Sequence, residues 1–281
     1  MKFVKTLSFF LLICLSSCNS FGAKEPDSNP IFIEYTNEVN NYSIKVIWMP
    51  DYYDSRFFNR LIGPAILTIN DKKNNKVYNV THEEFSIDLN DSDLKNITFK
   101  EVEGTQEFLS NKSFNLKMEY KLPSVIEKEY SEGEIHSSRN KGFKDFIPFF
   151  FKDINFDDKP ELIFNNATYS EKGGYSNSVY FFDGYKYVQS TDVLFREKFQ
   201  NFWGDPNDES ALYARTTIDY TNKRIYFSWM SGCCYSGEDV YTFEGGNSII
   251  LKSEESVLEG SERIITTTDK NGKKTIKRIR E

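Results

Sequence analysis

Between Tyr180 and Ile279 the sequence repeats one pattern four times: two short runs rich in β-branched and aromatic residues, joined by a turn sequence. Tyr180-Phe181-Phe182 and Tyr185 to Val188 flank Asp183-Gly184, and Ile218-Asp219-Tyr220 and Ile225 to Trp229 flank Thr221-Asn222-Lys223. Tyr241-Thr242-Phe243 and Ile249-Ile250-Leu251 flank Gly245-Gly246-Asn247, and Ile264 to Thr268 and Thr275 to Ile279 flank Lys270-Asn271-Gly272. Gly and Asn accept the positive φ angles of tight hairpins, so each unit predicts two antiparallel strands. Ile31 to Tyr35, Tyr42 to Trp48, Ala65 to Ile69, Val77 to Val80, Ile97 to Val102 and Phe114 to Tyr120 extend the theme through the first half.

The composition agrees. The chain has 25 Phe, 17 Tyr and 3 Trp against five Ala, so the best helix former is scarce and strand formers are abundant. Only Asp192 to Phe202, with Leu194, Phe195, Phe199 and Phe202 at helical spacing, predicts a helix. The expected fold is therefore all-β with at most one or two short helices. A sandwich pair, a large barrel and a small β-propeller-like array of antiparallel hairpins all suit such strands, and the propeller-like array best disposes of sheet edges. No clean repeat sets a blade count. The polar stretch from 127 to 140 is the natural place for a subdivision.

Met1 to Cys18 has a basic start (Lys2, Lys5), a short apolar stretch from Leu7 to Ile13 and then small residues, the layout of an export signal. Its end, Leu15-Ser16-Ser17-Cys18, resembles the lipobox of bacterial lipoproteins. That resemblance implies a signal peptide over residues 1–17 and a lipidated Cys18; the alternative, an ordinary secretory signal cleaved near Phe21-Gly22-Ala23, leaves Cys18 unexplained. Ala23 to Pro30 has no apolar period, so 18–30 reads as the lipidated Cys with a flexible tether and 31–281 as the β-rich domain. Two or three acyl chains anchor stably, at roughly 0.8 kcal/mol per buried methylene, without a membrane span. The expected location is the bacterial cell envelope, with the domain held at a membrane and facing the periplasm or the cell surface. Formal net charge is −7, and loss of the signal with its two lysines makes it −9, which argues against a nucleic-acid partner.

Asp153-Ile154-Asn155-Phe156-Asp157-Asp158-Lys159-Pro160-Glu161 places oxygen side chains at positions 1, 3, 5 and 9 with a main-chain carbonyl at 7. Hard Ca²⁺ takes six to eight such oxygens. The pattern resembles the loops of FG-GAP and VCBS-type propeller repeats. The resemblance implies Asp153, Asn155, Asp157 and Glu161 as side-chain ligands and Lys159 as a carbonyl ligand. Asp158 stands where Gly is usual, and Asp tolerates the left-handed backbone better than most residues. The alternative is a solvated Asp-rich turn. Asp88 to Asp93 is a weaker second loop of this kind.

Cys233 and Cys234 are adjacent, with Cα atoms about 3.8 Å apart, below the usual disulfide range, so a vicinal disulfide there would be strained. Two thiols are the alternative. They lie within Ser231-Gly232-Cys233-Cys234-Tyr235, and Ser-Gly-x-x-Tyr resembles the inhibitory loop of bacterial lysozyme inhibitors. A hairpin turn at Gly232 with a packed Tyr235 is the alternative. His82 and His136 are the only histidines, and no zinc pattern, serine elbow or phosphate loop occurs, so the chain reads as a non-enzyme.

Lipobox, calcium-type loop and Ser-Gly-x-x-Tyr together resemble the lipid-anchored, calcium-binding, propeller-like immunity lipoproteins that protect bacteria against lysozyme-like toxins. The resemblance implies a peptidoglycan hydrolase as protein partner, Ser231, Gly232 and Tyr235 as the contact, and Ca²⁺ as a structural ion. The competing expectation is a lipid-tethered ligand-binding or envelope-assembly module with structural calcium and no inhibitory activity.

Overall fold

The computed structural model describes residues 28–54, 60–87, 89–102, 106–120, 147–170, 174–192, 194–195, 214–231, 234–244 and 246–280. The described chain is almost entirely strand, as the sequence predicts, and its strands form three sheets.

The first sheet has eight strands: β1 (Ile31–Tyr35), β2 (Tyr42–Trp48), β3 (Tyr52–Asp54), β4 (Arg60–Asp71), β5 (Lys76–Ile87), β6 (Ile97–Val102), β7 (Gln106–Asn111) and β8 (Phe114–Met118). Its order is β6-β7-β3-β4-β2-β1-β8, with β5 also paired to β4. All pairs are antiparallel except β1 with β8. The second sheet, β12-β11-β10-β9, is made of β9 (Phe149–Lys152), β10 (Glu161–Ser170), β11 (Gly174–Phe182) and β12 (Tyr187–Gln189). The third is a six-stranded meander in chain order: β13 (Ala214–Asp219), β14 (Arg224–Ser231), β15 (Tyr235–Glu244), β16 (Asn247–Glu259), β17 (Glu262–Asp269) and β18 (Lys274–Arg280). The described strands fall into three sheets of unequal width, with eight, four and six strands. All four predicted hairpins form, with positive φ at Gly184, Lys223, Gly246 and Gly272 in their turns.

The four-stranded sheet is the middle layer. Along β9, β10 and β11 alternate residues enter different cores, because successive strand side chains point to opposite faces. Leu162, Phe164 and Tyr180 join Trp48, Leu67, Val80 and Phe85 in a core shared with the eight-stranded sheet. Ile163 and Val179 join Ile225, Phe227 and Tyr241 in a second core shared with the six-stranded sheet. Phe149 lies in the first core and its neighbour Phe150 in the second, both fully buried. A sheet covered on both faces needs unbroken apolar runs, which explains Phe149-Phe150-Phe151 and Leu162-Ile163-Phe164.

One helical turn, α1 (Asp91–Leu94), is capped by the Asn90 side chain, which accepts from the N–H groups of Ser92 (2.9 Å) and Asp93 (3.0 Å). Within Asp88 to Asp93, the Asn90 oxygen is thus engaged in a helix cap rather than turned to a cation. Of the predicted helix at Asp192 to Phe202, the described residues Leu194 and Phe195 form a buried helical turn. Asp192 accepts from Leu194 N and from Ser248 Oγ, joining this turn to the start of β16. Phe199 and Phe202 lie outside the described residues, as does the 127–140 boundary.

Candidate functional site

The calcium-type loop connects β9 to β10 at the point where Lys152 and Glu161 are register partners. The Asp153 carboxylate gathers the loop's own N–H groups: Oδ1 accepts from Phe156 (2.8 Å) and Oδ2 from Asp158 (3.0 Å). Asn155 Oδ1 accepts from Asp157 N at 3.0 Å, and Asp157 Oδ1 from Lys159 N at 2.9 Å. Glu161 closes the ring by accepting from Ile154 N at 2.8 Å. Phe156 and Asp158 have φ of +65° and +64°. The left-handed backbone at Asp158 is the one for which Gly is the usual choice, and Asp takes it here.

Glu161 is buried, and burial, reinforced by the Asp157 and Asp153 carboxylates, pushes its pKa up to about 8 against the favourable Ile154 N–H. A cation among these oxygens would remove that penalty, so the donor set fits a hard ion in chemistry. In geometry the carboxylates serve the backbone, and among the described residues no three Asp, Glu, His or Cys side chains converge as a metal cluster.

The loop is fastened to the six-stranded sheet. Tyr220, in the β13–β14 turn, donates its hydroxyl to Asp153 C=O, and its ring meets Phe156 edge-on at 6.0 Å and the Lys152 ammonium at 5.2 Å. Phe156 also meets Phe243 of β15 edge-on. Burial, with the nearby Asp153 and Glu161 charges, raises the Tyr220 pKa, so the hydroxyl stays protonated and able to donate.

The second feature is the far end of the β14–β15 hairpin. Ser231 and Tyr235 are register partners, the last pair of the β14–β15 ladder. Tyr235 is exposed and stands edge-on against Trp229, ring centroids 4.8 Å apart. Trp229 in turn lies over Gly237, where a Cβ would fall 2.5 Å from the indole. The aromatic pair thus needs a glycine at its base, which the sequence reading missed. The available signal was spacing: Gly237 follows Tyr235 by two residues, so the two share a face, and Trp229 is the register partner of Gly237.

Gly232, Cys233 and Cys18, the residue expected to be lipidated, lie outside the described residues, as does His136. Cys234 is half-buried, and its carbonyl accepts from Leu258 N at 2.8 Å. His82 belongs to the first core, stacked on Phe164 with centroids 4.1 Å apart, and so sits in a different layer from Cys234.

The loop and the hairpin tip occupy opposite ends of β14. Its eight residues, at about 3.3 Å each, separate them by about 25 Å. An ion in the loop would therefore act on the packing of the sheets and not at the tip.

No family model matches the chain, and no curated protein matches it. Among solved structures it aligns with the structure of a Xanthomonas type IV secretion system related protein. The two are 14% identical with a TM-score of 0.49, over 89% of this chain and 93% of that one. Among the described residues no helix is long and apolar enough to cross a membrane.

Proposed function

We propose that this chain is a lipid-anchored envelope protein that binds and inhibits a lysozyme-like peptidoglycan hydrolase through Ser231, Gly232 and Tyr235. The observation that supports the reading is the register pairing of Ser231 with Tyr235, where Tyr235 is exposed and stands against Trp229. A muramidase cleft holds two carboxylic groups, one kept protonated by its surroundings. Two hydroxyls presented together can hydrogen-bond both acids, Gly232 admits close backbone approach, and the tyrosine ring adds contact area with few rotamers to freeze. The net acidic body speeds encounter with a basic enzyme in a salt-dependent way.

In this reading Asp153, Asn155, Asp157, Glu161 and the Lys159 carbonyl hold Ca²⁺, whose role is to neutralise a carboxylate-rich loop that docks two sheets together. Cys18 carries the acyl chains. The test is inhibition of a panel of muramidases by the chain from Asn19 onward, which contains every strand and both cores. One-to-one inhibition is expected, weakened at least about thirtyfold by Ser231→Ala with Tyr235→Ala, the size of a binding hot spot. Equal inhibition by the double variant, or none by the wild type, overturns the reading in favour of a tethered module without inhibitory activity.

A further inference from the structure

The last described strand, β18, with the turn before it, differs in charge from the rest of the chain. From Lys270 to Arg280 there are six cations (Lys270, Lys273, Lys274, Lys277, Arg278, Arg280) and no acid, although the whole chain is at −7; the remainder therefore stands at −13. All seven residues of β18 are exposed. The strand is the outer edge of the six-stranded sheet, hydrogen-bonded to β17 alone.

The register sorts the side chains. Lys274, Ile276, Arg278 and Arg280 pair with Thr268, Thr266, Ile264 and Glu262 and share one face; Thr275, Lys277 and Ile279 occupy the other. Each face thus carries positive charge and one exposed isoleucine, Ile276 at 64% and Ile279 at 36%. Arg278 reaches Glu262 at 3.2 Å in an ion pair whose partners are both largely in water, so it is weakly held.

Protection of an edge strand against aggregation takes a lysine or two. Six cations without an acid, spread over both faces and the turn, go well beyond that. An acidic protein would be matched by charge concentrated on one face. A cluster of six cations interleaved with exposed isoleucines combines the two chemistries that hold a segment at an anionic lipid surface, headgroup attraction and apolar insertion.

We propose that the β17–β18 hairpin is a membrane-surface contact, which binds anionic phospholipid headgroups through Lys270, Lys273, Lys274, Lys277, Arg278 and Arg280 and sinks Ile276 or Ile279 among them. Its consequence rests on the acyl anchor proposed above. Asn29 is hydrogen-bonded to Asn111, and the ten residues between Cys18 and Asn29 span at most about 40 Å, so an acyl anchor alone does not set which face of the body meets the bilayer. A second contact at the opposite terminus fixes which face looks away from the bilayer. The headgroup binding itself needs no acylation.

The test is cosedimentation of the chain from Asn19 onward with vesicles of phosphatidylglycerol and phosphatidylethanolamine, against vesicles of phosphatidylcholine. Binding only to the anionic vesicles, lost between 0.05 and about 0.5 M salt, is expected. The variant Lys270→Gln, Lys273→Gln, Lys277→Gln, Arg280→Gln should bind at least about tenfold more weakly. Its circular dichroism and melting curve establish that it is folded, and the single variant Ile276→Ser should weaken binding without any change of charge. Equal binding to neutral vesicles, no vesicle binding, or equal binding by the folded quadruple variant overturns the proposal. If vesicles are not bound and the quadruple variant instead loses hydrolase inhibition, the strand serves an acidic protein face and the membrane assignment is wrong. Because the protein assayed lacks Cys18, none of these outcomes bears on the anchor.

Discussion

The Tyr220 hydroxyl donates to the main-chain carbonyl of Asp153 across 2.9 Å, joining the first residue of the calcium-type loop to the turn that starts β14. Tyr220 comes from the third sheet and Asp153 from the second, so the order of the loop and the seating of the six-stranded sheet are linked. Tyr220→Phe keeps the ring contacts with Phe156 and Lys152 and removes only this bond. The expected loss is roughly 0.5–1 kcal/mol in urea unfolding, because the bond is partly exposed. Hydrogen exchange should quicken at Asn222 to Arg224 while the β14–β15 tip is unaffected. Unchanged exchange in that turn would show that the bond does not hold the sheet.

Calcium should raise the melting temperature relative to EDTA. At a hundredfold excess over the dissociation constant, linkage gives about 2.7 kcal/mol, which is about 5 °C or more for a chain of this size. Asp157 is exposed, so Asp157→Ala should leave the EDTA curve close to wild type and abolish the calcium increment. Superimposable wild-type curves in calcium and EDTA would remove the cation site from the proposal.

Replacing Cys18 by Ser should abolish incorporation of an alkyne-tagged fatty acid into the protein in cells, since no other residue is assigned to acylation. Persisting label in the variant would contradict the lipoprotein assignment directly.

His82 gives the fold an acid-side weakness. Tyr180 donates its hydroxyl to Thr81 C=O, so His82 Nδ1 is the donor in its 3.3 Å contact with the Tyr180 oxygen, and the buried Nε2 makes no hydrogen bond of good geometry. Burial pulls the imidazole pKa down to about 4, with a partial offset from the Asn166 side chain. In the unfolded chain His82 takes its proton near pH 6.5; in the folded one it resists until about pH 4. Between those values the unfolded state binds more protons. Stability is therefore fully present above about pH 6.5 and falls as the pH drops toward 4, by about 3 kcal/mol from this residue. His82→Phe retains the stack on Phe164 and should flatten the slope over that interval. An equal slope in both proteins, measured by urea unfolding at each pH, would assign the acid sensitivity elsewhere.

Much of the fold was legible because hairpins are local. Asp183-Gly184, Asn222-Lys223 and Asn271-Gly272 place their flanking strands without reference to the rest of the chain, and the predicted Tyr42 to Trp48 and Ile97 to Val102 are the strands observed. The three layers were not legible, because the double burial of Phe149-Phe150-Phe151 depends on two sheets distant in sequence. The parallel pairing of Ile31 with Phe114 has no local signal either. At the site, the spacing of acids announced the loop, and Asp158 adopts the backbone its position requires. The attachment through Tyr220 was hidden, since the sequence reads this tyrosine as the end of a strand and nothing local marks its partner Asp153, 67 residues away. Trp229 was hidden for a similar reason: what distinguishes it is the missing side chain at Gly237.

That glycine supplies the last prediction. A methyl group at Gly237 would fall 2.5 Å and 2.6 Å from two indole carbons of Trp229 and 2.7 Å from the Glu254 carbonyl. Main chain on one side and a ring packed against the second core on the other leave little room for relaxation. Gly237→Ala must displace the indole, at a cost of roughly 1–3 kcal/mol as in other overpacked sites. Tyr235 then loses the ring it stands against, although Ser231 and Tyr235 are themselves unchanged. The expected result is a shifted Trp fluorescence spectrum, a lower melting temperature and weaker hydrolase inhibition at a temperature where the variant is still folded. Inhibition of wild-type strength, together with a displaced Trp229, would mean that the tip acts through its hydroxyls alone and that the aromatic support contributes only to stability.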